Sequence, residues 1–153
     1  MSEATAPQLP QWITDHLQRY LDTNGADGHM WDSGPVGGPG LLPTLLLTTN
    51  GRRSGKPITM PLIYGEADGS YIIVASKGGA PQHPGWYLNL AATPQVEVQV
   101  RDKRFRATAR TASGQERTSL WQKMRGIYPP YDEYQAKTER EIPVVVLEPQ
   151  GEV

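Results

Sequence analysis

The chain has 153 residues, a net charge of −1 and no cysteine. The balanced charge excludes a broad nucleic-acid footprint, and the missing thiols exclude a disulfide framework, a thiol nucleophile and a thiolate metal site. A domain of this length buries roughly two-thirds of its unfolded surface without a staple, and its 16 glycines and 14 prolines imply the many turns of a short-stranded β architecture. Met1 to Pro10 lacks a basic stretch leading into an apolar core, and no apolar run approaches the roughly 18 residues of a membrane span, so a cytoplasmic protein is expected.

From Gln11 to Asn24, Trp12, Ile13, His16, Leu17, Tyr20 and Leu21 recur at helical spacing, which predicts an amphipathic helix ended by Gly25. Its polar face sets Arg19 against Asp15 and Asp22, which favours packing on the barrel or on the partner of a homodimer over peripheral attachment to an anionic membrane. Gly25 to Pro39 shows no periodicity and is expected as an irregular loop carrying His29, Met30 and Trp31. The organisation expected is one domain, with residues 1–40 as a helix and a glycine-rich loop able to serve as a lid, and residues 41–153 as the ligand-binding barrel.

Leu41 to Thr49 is almost continuously apolar and β-branched, the pattern of a strand buried on both faces. Asn50-Gly51 turns the chain into Ile58 to Tyr64, and Asp68-Gly69 turns it again into Tyr71 to Ala75. Ser76 to Pro81 then reads as a glycine loop and Trp86 to Leu90 as a short helix, a strand–loop–helix arrangement suited to an anionic ligand beside Lys77. Val96 to Arg101 and Phe105 to Arg110 alternate as a hairpin. Ser113 and Glu116 have capping-box spacing, so Gly114 to about Arg125 is expected as a helix, Tyr131 to Arg140 as another after Pro129-Pro130, and Val144 to Leu147 as the last strand. Six strands joined mainly by hairpins, with helices at the periphery, predict a mainly β (α+β) antiparallel barrel.

The turn Gly51-Arg52-Arg53-Ser54-Gly55-Lys56-Pro57 has one residue too few between its glycines for a P-loop and leads into a strand, so that motif fails. Its three cations are either a solvated turn or a clamp for a phosphate or carboxylate. No G-x-S-x-G occurs, and His16, His29 and His83 show neither triad context nor metal-ligand spacing, so hydrolysis and metal chemistry find no support. Tyr128, Tyr131 and Tyr134 fit core packing or the wall of a pocket for a flat ligand.

Four stretches in order, Leu45 to Pro57, V-A-S-K-G-G-A-P at Val74 to Pro81, H-P-G-W-Y-L-N-L at His83 to Leu90, and Y-P-P-Y-D-E-Y through R-E-I-P-V-V-V-L-E-P at Tyr128 to Pro149, closely resemble the deazaflavin-dependent nitroreductase and quinone reductase family. The resemblance implies a split β-barrel of the FMN-binding type and hydride transfer from the reduced 8-hydroxy-5-deazaflavin coenzyme, F420, to a quinone, nitroaromatic or activated enone. It assigns Arg52, Arg53, Ser54 and Lys56 to the coenzyme's phosphate and glutamyl tail. Pro61, Ala75, Ser76, Lys77, Gly78 and Gly79 fall along the deazaflavin and its linker, supported by Trp86 and Asn89. Tyr128, Tyr131 and Tyr134 would line the acceptor pocket, with Ser76 and Tyr131, placed ahead of Tyr134, bonding the acceptor oxygen. An FMN-dependent reductase of the same barrel and a coenzyme carrier without turnover remain as alternatives. The chain departs from the quinone-reducing members over Asp27 to Pro39, which bears on the choice of acceptor.

Overall fold

The computed structural model describes residues 11–36 and 38–152; the leader reading at Met1 to Pro10 lies outside them. Helix α1 (Gln11–Asp22) is followed by β1 (Met30–Asp32), β2 (Leu41–Asn50), β3 (Pro57–Ile63), β4 (Gly65–Ala67), β5 (Ser70–Val74), α2 (Gly85–Ala92), β6 (Gln95–Val100), β7 (Lys103–Thr111), α3 (Gly114–Ile127), α4 (Pro130–Lys137) and β8 (Val144–Glu152). The strands form one antiparallel sheet in the order β1-β2-β6-β7-β8-β5-β4, with β3 also paired to β2. This curled sheet is of the split-barrel type, as expected.

Strand alternation divides the core in two. Ile73, Val145 and Leu147 point into the barrel with Leu45, Leu47, Val96, Val98 and Trp86. Ile72, Val74, Val144 and Val146 point outward under Leu120 and Met124 of α3 and Tyr131 of α4. Strands β5 and β8 are therefore covered on both faces, and each fully buried aliphatic side chain there contributes roughly 1.5–3 kcal/mol.

Eight strands are observed among the described residues where the sequence predicted six. The additions are β1, whose Met30, Trp31 and Asp32 pair with Pro43, Leu42 and Leu41, and β4, which pairs with β5 through Gly65, Glu66 and Ala67. Part of the expected irregular loop is thus a sheet edge. The capping box also fails to form: Ser113 makes no side-chain cap bond. Glu116 is held instead by both Nη atoms of Arg110 at 2.6 and 2.7 Å, a bidentate charged pair that outcompetes a single amide.

Residues 11–32 are built into the core. Tyr20 of α1 is fully buried, and its Oη donates to the carbonyl of Thr44 at 3.0 Å while accepting from the backbone N–H of Arg101 at 2.8 Å. Gly25, at φ +83°, ends the turn with its N–H on the Tyr20 carbonyl at 2.8 Å. A Cβ there would clash with the Arg101 Cα, so only glycine allows this approach. Trp31 stacks on Trp12 of α1 at 5.7 Å, and Met30 is exposed. Among the described residues no helix is long and apolar enough to cross a membrane.

Candidate functional site

The basic turn is tied to α2. Asn89, 3% exposed, accepts at Oδ1 from the Arg52 backbone N–H at 3.2 Å and from Arg52 Nη1 at 2.9 Å. Its Nδ2 donates to Thr49 Oγ1 at 3.1 Å, anchoring the contact in β2. Arg52 Nη1 also reaches the carbonyl of Gly85 at the start of α2. Ser54 Oγ accepts the Lys56 N–H at 3.1 Å and fixes the turn from within. Arg53 and Lys56 are exposed on it. Pro61 sits opposite Leu46 in the β2–β3 ladder, half-buried. Trp86 is buried in the barrel core, so it supports α2 from below.

Beyond β5 the chain makes a tight loop. Ala75 is fully buried and its N–H bonds the Pro143 carbonyl at 3.0 Å. Ser76 is helical in conformation, then Lys77, Gly78 and Gly79 take φ of 47°, 64° and 83°, three left-handed residues in succession. Lysine tolerates that region poorly, so the loop must be held from outside. Gly79 is pressed against α4: an added Cβ would sit 2.7 Å from the Tyr134 carbonyl oxygen. Lys77 and Gly78 face outward and are exposed, and a Cβ on Gly78 would meet nothing within 4 Å.

A residue that sequence reasoning missed holds this loop. Arg140 Nε donates to the Ala80 carbonyl at 2.8 Å, Nη2 to Ser76 at 2.8 Å and Nη1 to Ala75 at 3.3 Å. Nη1 also meets His83 Nδ1 at 3.0 Å. Burial, and then the Arg140 charge, lower the His83 pKa, so the ring is held neutral as an acceptor. These partners lie 57 to 65 residues away in sequence, and nothing local separates Arg140 from the solvated Glu139 and Glu141 beside it.

The three tyrosines cluster at the α3–α4 junction with different exposures. Tyr128 and Tyr131 are each 4% exposed, whereas Tyr134 is half-buried. Their rings lie 4.8 to 6.4 Å apart. Tyr128 Oη and Tyr134 Oη are 2.8 Å apart. Burial first, and then the bond to Tyr134, raise the Tyr128 pKa, and either hydroxyl can donate in that bond. Tyr131 packs in the outer core, and burial raises its pKa as well. An added Cβ on Gly38 would lie 2.8 Å from Tyr128 Cε1, so the backbone at Gly38 abuts this cluster. Of the apolar side chains of the preceding loop, Met30 is exposed and half-buried Trp31 stacks on Trp12 of α1.

The structure therefore links the predicted residues in a line: the Arg52 turn to Asn89 and α2, His83 to Arg140, Arg140 to the Ser76–Gly79 loop, and Gly79 to Tyr134. The sequence profile of the F420H(2)-dependent quinone reductase family matches residues 12–149. The chain belongs to this family. It is 44% identical over 140 residues to an F420H(2)-dependent quinone reductase of Mycobacterium tuberculosis strain H37Rv, covering 90% of this chain and 89% of that one. It also matches a solved domain-swapped dimer at 43% identity and TM-score 0.68, over 90% of this chain and 98% of that one. A solved F420-H2 dependent reductase, FDR-A, matches at 49% identity and TM-score 0.64, over 69% of this chain and 93% of that one. The family resemblance read from the four motifs is borne out. Among the described residues no group of three His, Cys, Asp or Glu is placed to hold a metal ion.

Proposed function

We propose that the protein binds reduced F420 along the line from the Arg52 turn to the Ser76–Gly79 loop and directs its hydride to a quinone. The observation that carries this reading is the contact of Arg52 with Asn89 and Gly85. It gathers an exposed basic turn beside the helix that follows the glycine loop, in a chain whose family is F420-dependent. The residues suit the coenzyme's shape. Arg52, Arg53, Lys56 and Lys77 offer charge to an anionic tail, and Ser76 and Gly78 present little bulk where a flat ring must approach, while Gly79 lets the loop close on α4. The bound coenzyme supplies the hydride; the chain has no cysteine to supply a thiol redox pair of its own.

Toward the acceptor, the tyrosine pair has two hydroxyl protons and uses one in its mutual bond. With Tyr128 almost wholly enclosed, the hydroxyl of half-exposed Tyr134 is the one assigned to hydrogen-bond an acceptor oxygen as charge develops on it. Tyr134 thus becomes the favoured donor over Tyr131, whose ring is almost wholly enclosed. Ser76 is half-buried at the loop and is assigned to the same acceptor oxygen. Gly38 lies beside Tyr128, where the proposed lid would close. Cytoplasmic location and a homodimer complete the reading, the latter motivated by the domain-swapped relative.

Calorimetric titration of the purified protein with F420 and with FMN tests it. Saturable F420 binding that weakens with salt, and FMN binding at least tenfold weaker, are expected; equal affinities would refute the assignment.

A further inference from the structure

The Ser76–Gly79 loop has no obvious reason to keep its shape. Three consecutive left-handed residues, one of them a lysine, relax readily unless neighbouring groups fix them. Two short turns within the loop help, Gly79 N–H to the Ser76 carbonyl at 2.9 Å and Ala80 N–H to the Lys77 carbonyl at 3.1 Å, but neither ties it to the barrel. That tie is the guanidinium of Arg140, which receives the carbonyls of Ala75, Ser76 and Ala80, the two ends of the loop, on one planar fork. The carbonyls are drawn inward, and Lys77 and Gly78 are left on the outer side.

Resting on the coenzyme reading above, we propose that Arg140 is a positioning residue for coenzyme binding: without touching the ligand, it sets the curvature of the glycine loop and the spacing between that loop and α2. The second half of this role runs through His83. Nη1 bonds its Nδ1, which places the ring proton on Nε2, and α2 begins two residues later at Gly85, the residue whose carbonyl Arg52 contacts. One guanidinium thus joins the loop assigned to the ring of the coenzyme to the helix that is hydrogen-bonded to the turn assigned to its tail. Among the described residues no carboxylate lies within ion-pair distance of Arg140, so its donors remain committed to these carbonyls. Lysine cannot replace it, because an ammonium has three tetrahedral donors where four acceptors require a planar fork.

The test compares full-length R140Q and R140K with wild type. Amide hydrogen exchange without ligand reads the loop, and titration and steady-state kinetics with F420 read the site. Exchange at Gly79 and Ala80 should rise about tenfold in R140Q with little change at Leu47 and Val98. The Kd and KM for F420 should rise at least tenfold, with kcat at saturating coenzyme within about twofold of wild type, and R140K should fall between. R140K also serves if R140Q does not fold. Wild-type exchange and wild-type affinity in both variants would overturn the proposal, as would a loss confined to kcat. Wild-type protein that binds no F420, with exchange at Gly79 and Ala80 still accelerated in R140Q, would overturn the coenzyme reading and with it this role, while confirming only that Arg140 holds the loop.

Discussion

Replacing Asn89 with alanine should both destabilise the protein and weaken coenzyme binding, because one buried amide holds the basic turn, β2 and α2 together. The lost Nδ2 bond to Thr49 Oγ1 is neutral and buried, and such a bond is worth about 1 kcal/mol. Thr49, 1% exposed, cannot replace it with water, so its stranded hydroxyl adds about 1–2 kcal/mol. The Arg52 Nη1 contact lies on an exposed side chain, and solvent discounts it to about 0.5 kcal/mol. Together these give about 2–4 kcal/mol, or roughly 4–16 °C in Tm for a domain of this size. Urea denaturation and calorimetry measure the loss, and a cycle with Arg52→Ala isolates the side-chain contact, with a coupling of about 0.5 kcal/mol expected. A loss below about 0.5 kcal/mol, the range of an indifferent surface change, would refute the role given to Asn89.

Gly79→Ala should cost more than about 1 kcal/mol and lower F420 affinity several-fold, since its φ of +83° and the Tyr134 carbonyl 2.7 Å from the new Cβ both oppose it; urea midpoints equal to wild type would contradict this. Tyr134→Phe should lower kcat about 100-fold at saturating coenzyme while Tyr131→Phe leaves it within a few-fold, and equal losses would place the donor elsewhere. Burial, and then Arg101 and Arg140, lower the pKa of His29 and His83 respectively. The unfolded chain therefore binds more protons, so their stability is fully present above about pH 6.5 and declines as pH falls through the lowered folded values. A Tm that does not fall between about pH 7 and pH 5 would contradict this.

The sequence carried the elements whose pattern is local. Alternation gave the hairpin of β6 and β7, and Asp68-Gly69, both at positive φ, made the expected turn between β4 and β5. Strand β4 was invisible because Gly65, Glu66 and Ala67 have low strand propensity and are held by pairing with β5. Strand β1 is three residues long, too short for a period, and exists because the first residues of β2 offer it an edge. Glu116 misled for the opposite reason: its local spacing was right, but Arg110 and the sheet captured its carboxylate. His29, read as a loop residue, is 6% exposed and bonds Tyr64 Oη at 2.8 Å, and burial pushes the Tyr64 hydroxyl up to about 12. The site divides the same way. Its proposed residues fall in motifs that can be named from the sequence, whereas Arg140 works through backbone carbonyls that no side-chain pattern records.

The most direct measurement mixes the protein with reduced F420 and a soluble quinone and follows the absorbance of the oxidised coenzyme. Reoxidation far faster than in buffer, with quinone reduced in equimolar amount and the rate lost in Tyr134→Phe, is the predicted result. No acceleration over buffer, or acceleration with reduced FMN but not with reduced F420, would contradict it.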